Sequence, residues 1–188
     1  MFYLIGLGLD EKSISLEALE ACRKADKIYI EYYTVEFPYS IEKLERVIGK
    51  RIIPLTRIMV EHEEFLDEAR KKDIILLVYG SPLTATTHIS LLLKCKERGF
   101  KYRVFENSSI LDAVCETGLQ VYKFGKTASM PKWEEKHKPK SFIDIVKFNQ
   151  LIKAHSLILV DIGLDYGDAL KQLQLASKGK IKLDKIVV

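Results

Sequence analysis

Cysteine is scarce in this sequence, and the spacings typical of metal ligands are missing from it. The three cysteines, Cys22, Cys95 and Cys115, are widely spaced and include no Cys-x-x-Cys pair, which argues against a disulfide framework and a zinc site. All three stand in apolar helical patterns, so we predict buried free thiols. No two of the four histidines have metal-ligand spacing, and we therefore predict no metal site.

Long hydrophobic runs and a strong charge of one sign are also missing. The apolar run at the N-terminus has no basic region before it and is too short for a signal peptide or a membrane span. We therefore expect a cytoplasmic protein with no membrane partner. The net charge of +4 over 188 residues is too small to indicate direct nucleic-acid binding.

Apolar segments rich in β-branched residues alternate with helical patterns along the whole chain. This alternation predicts an α/β fold, with a mostly parallel sheet in an N-terminal domain of residues 1–110. Residues 111–188 are predicted to form a second α/β domain with a mixed and incomplete sheet. The final segment, KIVV, has the composition of a strand that is only beginning.

Two segments have unusual charge patterns. Residues from about Glu61 to Lys72 are acidic and then basic, which complements a helix dipole and predicts one amphipathic helix. Residues 123–141 are charged and contain two prolines, so we predict a loop. The loop carries Trp133, which we expect to be exposed and to mark a contact with a protein partner.

The first strand ends in GLGLD, residues 6–10, and the glycines raise the question of a dinucleotide site. The dinucleotide fingerprint requires a third glycine where this sequence has Glu11. Asp10 and Glu11 would also stand beside the phosphates, and only Glu31, at the end of the second strand, fits a ribose-binding acid. A tight turn without a ligand, or a ligand with positive charge, agrees better with these residues.

A second loop follows the most apolar strand and reads VYGSPLTATTH, residues 78–88. Ligands in open α/β sheets bind beyond the carboxyl ends of strands, so this turn is a candidate binding loop. An ordinary turn in which Thr84, Thr86 or Thr87 caps the next helix explains the pattern equally well. The sequence contains neither a phosphate-binding GxxxxGK[ST] loop nor a GxSxG nucleophile elbow.

Four segments in order, GLGLD, SPLTATTH, SSI and GLQVYKFGKTAS, resemble the diphthine synthases. These enzymes belong to the tetrapyrrole-methylase-like group of S-adenosyl-L-methionine-dependent methyltransferases. The resemblance implies homodimers of two-domain α/β subunits with the cofactor in the cleft between domains. It also implies S-adenosyl-L-homocysteine as a product and translation elongation factor 2 as the protein substrate. The group methylated to give diphthine is the amino group of its 3-amino-3-carboxypropyl-histidine.

The resemblance also implies which residues bind the cofactor. These are Leu9 in the first loop, Ser81 and Thr84 in the second, Ser109 and Ile110 in SSI, and Val160. Methyl transfer from a sulfonium is an in-line displacement that needs alignment more than a nucleophile. The catalytic residue is therefore unknown, with Asp10, Glu31 and Asp161 as weak candidates for an acid beside the reacting amine. His88 is predicted to orient the loop that precedes it.

Two departures from the family pattern leave alternatives open. Ser81 stands where the family usually has an aspartate, and family members continue with further strands after the point where this sequence ends. One alternative is a non-catalytic or partner-dependent remnant of the fold that binds a protein partner. Another is a relative that acts on a corrin or on ribosomal RNA, although the ATTH and YKFGK segments favour the diphthine synthases.

Overall fold

The computed structural model describes residues 1–181, 183 and 186 of the chain. It divides into two compact units, Met1–Ala113 and Val114–Val188. Their border lies close to the domain boundary predicted between residues 110 and 111. Whether each unit is an independent folding domain stays a prediction.

The first unit is built around a five-stranded parallel sheet with the strand order β3-β2-β4-β1-β5. The α/β fold and the parallel sheet predicted for this part of the chain are confirmed. The strands are β1 (Phe2–Gly6), β2 (Lys27–Glu31), β3 (Ile53–Leu55), β4 (Ile74–Val78) and β5 (Tyr102–Phe105). The helices are α1 (Leu16–Lys24), α2 (Ile41–Ile48), α3 (Arg57–His62), α4 (Ile89–Glu97) and α5 (Ile110–Ala113), with a 3-10 helix at Glu64–Arg70.

Strands β4 and β1 are apolar along their length because both faces of the sheet are covered there. Ile5 and Leu77 pack on the side of α1 and α2. Their neighbours Leu4 and Leu76 pack on the opposite side, with α4 and the 3-10 helix. Burial on both faces is the usual state of a parallel sheet, and it explains a continuous apolar run where a half-exposed strand would alternate.

Local signals predict most helix ends correctly. Of the two serines predicted as candidate N-caps of α1, Ser15 is the cap, and its hydroxyl oxygen accepts a hydrogen bond from Ala18 N at 3.2 Å. Gly49 ends α2 with φ +80°, as predicted from a glycine after the last apolar turn. The single helix predicted over Glu61–Lys72 is wrong. Glu63 has φ +58° and ends α3, so a 3-10 helix replaces the rest.

The second unit contains a smaller two-stranded sheet. β6 (Ala128–Met130) and β7 (Ile158–Val160) pair in parallel, and α6 (Ser141–Leu151) and α7 (Tyr166–Ser177) cover a core that includes Phe142, Ile143 and Leu173. Short 3-10 helices occupy Val114–Thr117 and Val121–Lys123. The described part of this sheet is one parallel pair, where the sequence predicted a mixed and incomplete sheet. Of the KIVV segment, only Ile186 falls within the described residues.

The prediction of a loop over residues 123–141 is partly wrong. It contains β6, whose short apolar stretch was hidden by the charged residues around it. Trp133 is half-buried against the core of the second unit, which corrects the prediction of an exposed contact residue. Its indole nitrogen donates to the Pro139 carbonyl at 2.9 Å, and its amide donates to Gln172 Oε1 at 3.0 Å.

The cysteines differ in their surroundings. Cys22 and Cys95 are buried free thiols, as predicted, and burial raises the pKa of Cys22 to about 12 and that of Cys95 to about 11. Cys115 is exposed, so the prediction of burial is wrong for it. It lies in the 3-10 helix Val114–Thr117, where the apolar α-helical period is not continued.

This difference predicts selective alkylation of Cys115. Because the thiolate is the reactive form, iodoacetamide at neutral pH should modify Cys115 in the folded protein and leave Cys22 and Cys95 intact. Peptide mass spectrometry before and after unfolding in urea checks the result, since all three cysteines should react once the chain is unfolded. Equal modification of all three in the folded protein would contradict the burial of Cys22 and Cys95.

Candidate functional site

Three loops come together at one edge of the sheet in the first unit. β1 lies between β4 and β5, and all three strands are parallel, so their carboxyl ends lie side by side. The loops that leave these ends are residues 6–13, 79–88 and 106–109. They contain five of the predicted cofactor residues or adjoin them: Leu9, Ser81, Thr84, Ser109 and Ile110.

The loops after β1 and β4 are bonded to each other through their main chains. Gly8 and Gly80 form an antiparallel bridge with N···O distances of 3.1 and 2.9 Å, and Leu7 N donates to the Val78 carbonyl at 2.8 Å. The Tyr79 hydroxyl donates to the Leu9 carbonyl at 2.9 Å. Leu9 is therefore held in place by its backbone, while its side chain is half-buried.

Two glycines make this close approach possible. A Cβ on Gly6 would lie 2.6 Å from the Gly80 carbonyl oxygen and 2.7 Å from Cδ of Pro82. Gly8 has φ +73°, and a Cβ there would lie 2.6 Å from Cβ of Ser13. The glycines that suggested a dinucleotide fingerprint thus serve contact between two loops of the chain itself.

Ser81 lies in a small hydrogen-bonded group. Its hydroxyl donates to Glu106 Oε2 at 3.3 Å and accepts from the Thr84 hydroxyl at 3.0 Å. Glu106 was missed in the sequence, although its position directly after β5, next to the first loop, was a usable signal. The contact places a carboxylate beside the serine that stands where the family pattern has an aspartate.

Asn107 joins three segments of the same region. Its side-chain amide donates to the carbonyls of Gly6, at 3.1 Å, and Ser13, at 2.9 Å, and its Oδ1 accepts from Ser108 N at 2.8 Å. Sequence reasoning also missed this residue, because an asparagine after a strand is an ordinary turn signal. It fixes the loop after β5 against the loop after β1.

Ser109 directly precedes α5, and Ile110 is the first residue of that helix. The buried Ser109 hydroxyl accepts from Leu111 N and donates to Asp112 Oδ2, both at 3.1 Å. The hydrogen bonds that Ser109 donates to Asp112 from its backbone N–H and, with a smaller effect, from its hydroxyl lower the pKa of Asp112. The side chain of Ile110 is 47% exposed and presents an apolar surface next to the three loops.

The weak catalytic candidates have different surroundings. Asp10 is exposed, and its Oδ1 accepts from Lys12 N at 2.9 Å. Glu31 is 0% exposed at the end of β2, and the Thr34 hydroxyl donates to its Oε1. Asp161 belongs to the second unit, where both its oxygens accept backbone hydrogen bonds from Lys132 and Ile162 at 3.0 Å. Val160, the remaining predicted cofactor residue, ends β7 in that unit and is half-exposed.

Asn149 fixes the YKFGK segment to the rest of the second unit through hydrogen bonds. This buried amide accepts from Lys126 N at 3.0 Å and donates to the Lys126 carbonyl at 2.8 Å and to the Ser156 hydroxyl oxygen at 3.1 Å. A Cβ on Gly125 would lie 2.3 Å from Asn149 Oδ1. The glycine of this segment is therefore required by close packing within the unit.

The charged side chains of the three loops are mostly acidic. Residues 6–13, 79–88 and 106–109 include three acids, Asp10, Glu11 and Glu106, and one cation, Lys12. A ligand with phosphate groups would meet unfavourable charge here, whereas a cationic group would be attracted. Within the described residues there is no group of side chains that could hold a metal ion, and no helix is long and apolar enough to cross a membrane.

The chain belongs to the tetrapyrrole (corrin/porphyrin) methylase family, because the model of that family matches residues 1–181. The fold and the three strand-end loops described above fall within this match. The membership confirms the class of protein that the sequence motifs indicated.

Within this family, the chain is similar to diphthine synthases, which confirms the resemblance. It is 44% identical over 165 residues to diphthine methyl ester synthase of Schizosaccharomyces pombe, covering 86% of this chain and 58% of that protein. It is 41% identical over 166 residues to diphthine synthase of Archaeoglobus fulgidus, covering 86% of this chain and 64% of that protein. The chain therefore spans less than two thirds of the length of these two relatives.

A solved structure shows the same fold. The crystal structure of a diphthine synthase matches with a TM-score of 0.86 at 37% sequence identity, covering 95% of this chain and 72% of that one.

A further sequence relative, diphthine synthase of Methanocaldococcus jannaschii, is 40% identical over 183 residues, or 95% of this chain and 70% of that protein. The similarity thus extends well beyond the short motifs.

Proposed function

We propose that the chain is an S-adenosyl-L-methionine-dependent methyltransferase of diphthamide biosynthesis. It methylates the amino group of the 3-amino-3-carboxypropyl-histidine of translation elongation factor 2 to give diphthine. The observation that carries the proposal is the convergence of three strand-end loops, each with predicted cofactor residues, in a chain about 40% identical to diphthine synthases over most of its length. Cytoplasmic location and a homodimer are parts of the same proposal.

The chemistry of the three loops fits this cofactor. When bound, S-adenosyl-L-methionine supplies a methyl group from a positively charged sulfur, and it leaves as S-adenosyl-L-homocysteine. The loops offer hydroxyls on Ser81 and Thr84, a closely approaching main chain at Gly80, and the carboxylates of Asp10 and Glu106. This donor set combines hydrogen-bonding groups for a ribose with negative charge for a sulfonium.

The residues of the chain mainly bind and orient in this scheme. Leu9 and Ile110 provide apolar contacts, and Val160 of the second unit is proposed as a further cofactor contact. Alignment of donor and acceptor supplies most of the rate effect, so a dedicated nucleophile is unnecessary. Of the acids considered, Asp10 has the exposed carboxylate in the first unit, and we assign it the role of accepting a proton from the amine or stabilising its charge.

The proposal is tested by methyl transfer read by mass. Purified chain is mixed with isotope-labelled S-adenosyl-L-methionine and elongation factor 2 that carries the unmethylated intermediate. The expected product is labelled diphthine on the modified histidine. Failure of transfer by a chain that binds S-adenosyl-L-homocysteine and elongation factor 2 would favour the alternative of a non-catalytic, partner-binding protein.

A second product is favoured by a specific comparison. The relative from Schizosaccharomyces pombe is named diphthine methyl ester synthase, and its identity to this chain equals or exceeds that of the archaeal relatives. The same assay separates the two products, because mild base removes a methyl ester and leaves N-methyl groups in place. Loss of one labelled methyl group after base would assign carboxylate methylation in addition to N-methylation.

The contact between Ser81 and Glu106 gives a prediction for cofactor affinity. Glu106→Gln removes the carboxylate next to Ser81, so binding of S-adenosyl-L-methionine should weaken by about fivefold, as expected for loss of one partly exposed charge interaction. Isothermal titration calorimetry measures the change. Glu97→Gln, at the exposed end of α4, is the matched control and should leave the affinity unchanged.

The double variant Ser81→Asp/Glu106→Gln moves the carboxylate to the family position. It should recover most of the affinity lost in Glu106→Gln, because one negative charge is restored at the same place. The single variant Ser81→Asp should be less stable than the parent chain, since two carboxylates would then be in contact. Unchanged affinity in Glu106→Gln would show that Glu106 has no part in the site.

A further inference from the structure

Among the described residues of the first unit, four buried side-chain atoms lack a hydrogen-bond partner, and two of them belong to Glu31 and His88. Glu31 ends β2 and is 0% exposed, and His88 directly precedes α4 and is 2% exposed. Among the described residues, Glu31 Oε2 and His88 Nδ1 have no hydrogen-bond partner. Buried polar atoms are nearly always paired, so both atoms require an explanation.

The two groups interact electrostatically. Burial lowers the pKa of the His88 imidazole, and the charge of Glu31 opposes this by raising it. A hydrogen bond to the Pro82 carbonyl also raises the pKa of His88. The charge of Glu31 therefore favours a protonated ring, and such a ring can donate from Nδ1, the atom that otherwise has no partner.

The other described groups near Glu31 do not donate a hydrogen bond to its Oε2 atom. The Thr34 hydroxyl donates to Oε1, which leaves Oε2 free for a second donor. Burial, and to a smaller extent the charge of Glu31, raises the pKa of Tyr33 to about 12. The cation of Arg57 lies over the Tyr33 ring, 5.3 Å from its centroid, and it opposes that shift.

His88 is tied directly to the second loop. Its backbone N–H donates to the Thr86 hydroxyl oxygen at 3.2 Å, and the Thr86 hydroxyl donates to the Pro82 carbonyl at 3.2 Å. Between them, Ala85 has φ +55°, a left-handed conformation that costs a non-glycine residue energy. Such a conformation persists only where surrounding contacts fix it. Here those contacts are the two hydrogen bonds of the Thr86 hydroxyl, one of which is donated by the backbone of His88.

We propose that Glu31 and His88 form a buried pair in which the carboxylate holds a proton on the imidazole, and that this pair positions residues 81–87. Both are positioning residues, because they act on the cofactor through Ser81 and Thr84 and not by contact. This inference rests on the proposed function for its link to the cofactor. With the proton present, the ring bonds both Glu31 and the Pro82 carbonyl. Without it, two buried acceptors face each other and the loop is released.

The test compares Glu31→Gln and His88→Gln with the parent chain, and uses Glu68→Gln as the matched control. Glu68 is a partly buried carboxylate of the same unit, paired with Lys27 and the Tyr29 hydroxyl, away from the second loop. Nuclear magnetic resonance follows the imidazole Cε1–H signals and the backbone amide signals of residues 81–87 across the pH range in which histidines titrate. The missing signal in His88→Gln assigns His88, and thermal melts check that each variant is folded.

In the parent chain the amide signals of residues 81–87 should change with the same midpoint as the His88 ring. Glu31→Gln should lower that midpoint, because the carboxylate that holds the proton on the ring is gone, and the amide signals should follow. His88→Gln should abolish the pH dependence, and Glu68→Gln should leave it unchanged. Affinity for S-adenosyl-L-homocysteine should fall as pH rises through the His88 midpoint, and this fall should shift in Glu31→Gln.

Two results would overturn the inference. One is a His88 midpoint that Glu31→Gln leaves unchanged. The other is a shifted midpoint with amide signals of residues 81–87 that do not follow it. Coupled signals in a chain that binds no S-adenosyl-L-homocysteine would support the buried pair and contradict the proposed function, so the two failures are distinguishable.

Discussion

Replacing Gly6 by alanine should abolish cofactor binding and destabilise the first unit. The new Cβ would lie 2.6 Å from the Gly80 carbonyl oxygen, 2.7 Å from Cδ of Pro82 and 3.1 Å from Cβ of Asn107. Backbone and proline atoms cannot rotate away, so the loops after β1 and β4 must separate. Overpacking of this kind costs about 1–3 kcal/mol, and the Gly8–Gly80 bridge would be lost as well.

Urea denaturation and calorimetry with S-adenosyl-L-homocysteine measure the two effects of Gly6→Ala. Gly49→Ala is the control, because Gly49 has φ +80° but its Cβ would meet no described atom within 4 Å. It should cost about 1 kcal/mol from backbone strain alone and leave ligand binding intact. Normal binding by Gly6→Ala would contradict the assignment of the cofactor site to the contact between these loops.

Replacing Asn149 by alanine should destabilise the second unit by about 3 kcal/mol. The substitution removes the side-chain partner of both the amide and the carbonyl of Lys126, and it removes the hydrogen bond to Ser156. For a chain of this size, that corresponds to a fall in melting temperature of about 6–12 °C. Differential scanning calorimetry measures the shift.

Two further variants make the Asn149 experiment specific. Asn149→Asp keeps the acceptor for Lys126 N and loses both donated hydrogen bonds, while it buries a charge, so it should be destabilised as well. Gln174→Ala removes an exposed amide from α7 and should change stability by less than about 0.5 kcal/mol. A melting temperature of Asn149→Ala close to that of Gln174→Ala would contradict the role given to Asn149.

Much of the fold could be predicted because local and global signals agree in the first unit. Fully apolar β4 and β1 fit only a sheet covered on both faces, and serine and glycine at helix ends predict the caps of α1 and α2. The failures arose where tertiary contacts override the local pattern. Glu63 breaks a helix that its neighbours favour, and β6 is too short to give a period-2 signal among charged residues.

The sequence predicted which types of residue form the candidate site, but not which of those residues contact each other. The glycines after β1 and β4 could be assigned to loops, but their contact with each other depends on the strand order, which periodicity does not give. Glu106 and Asn107 were missed because an acid and an asparagine after a strand are common turn residues. The Glu31–His88 pair joins residues far apart in sequence, and burial, which reveals it, is a property of the folded chain.

Titration of this chain with S-adenosyl-L-homocysteine by isothermal calorimetry tests the central claim most directly. The account predicts one site with micromolar affinity, weakened in Glu106→Gln and absent in Gly6→Ala. The folded state of each protein is verified in the same samples by circular dichroism. No measurable binding by the folded parent chain at millimolar ligand would contradict the claim that its strand-end loops form a methyl-donor site.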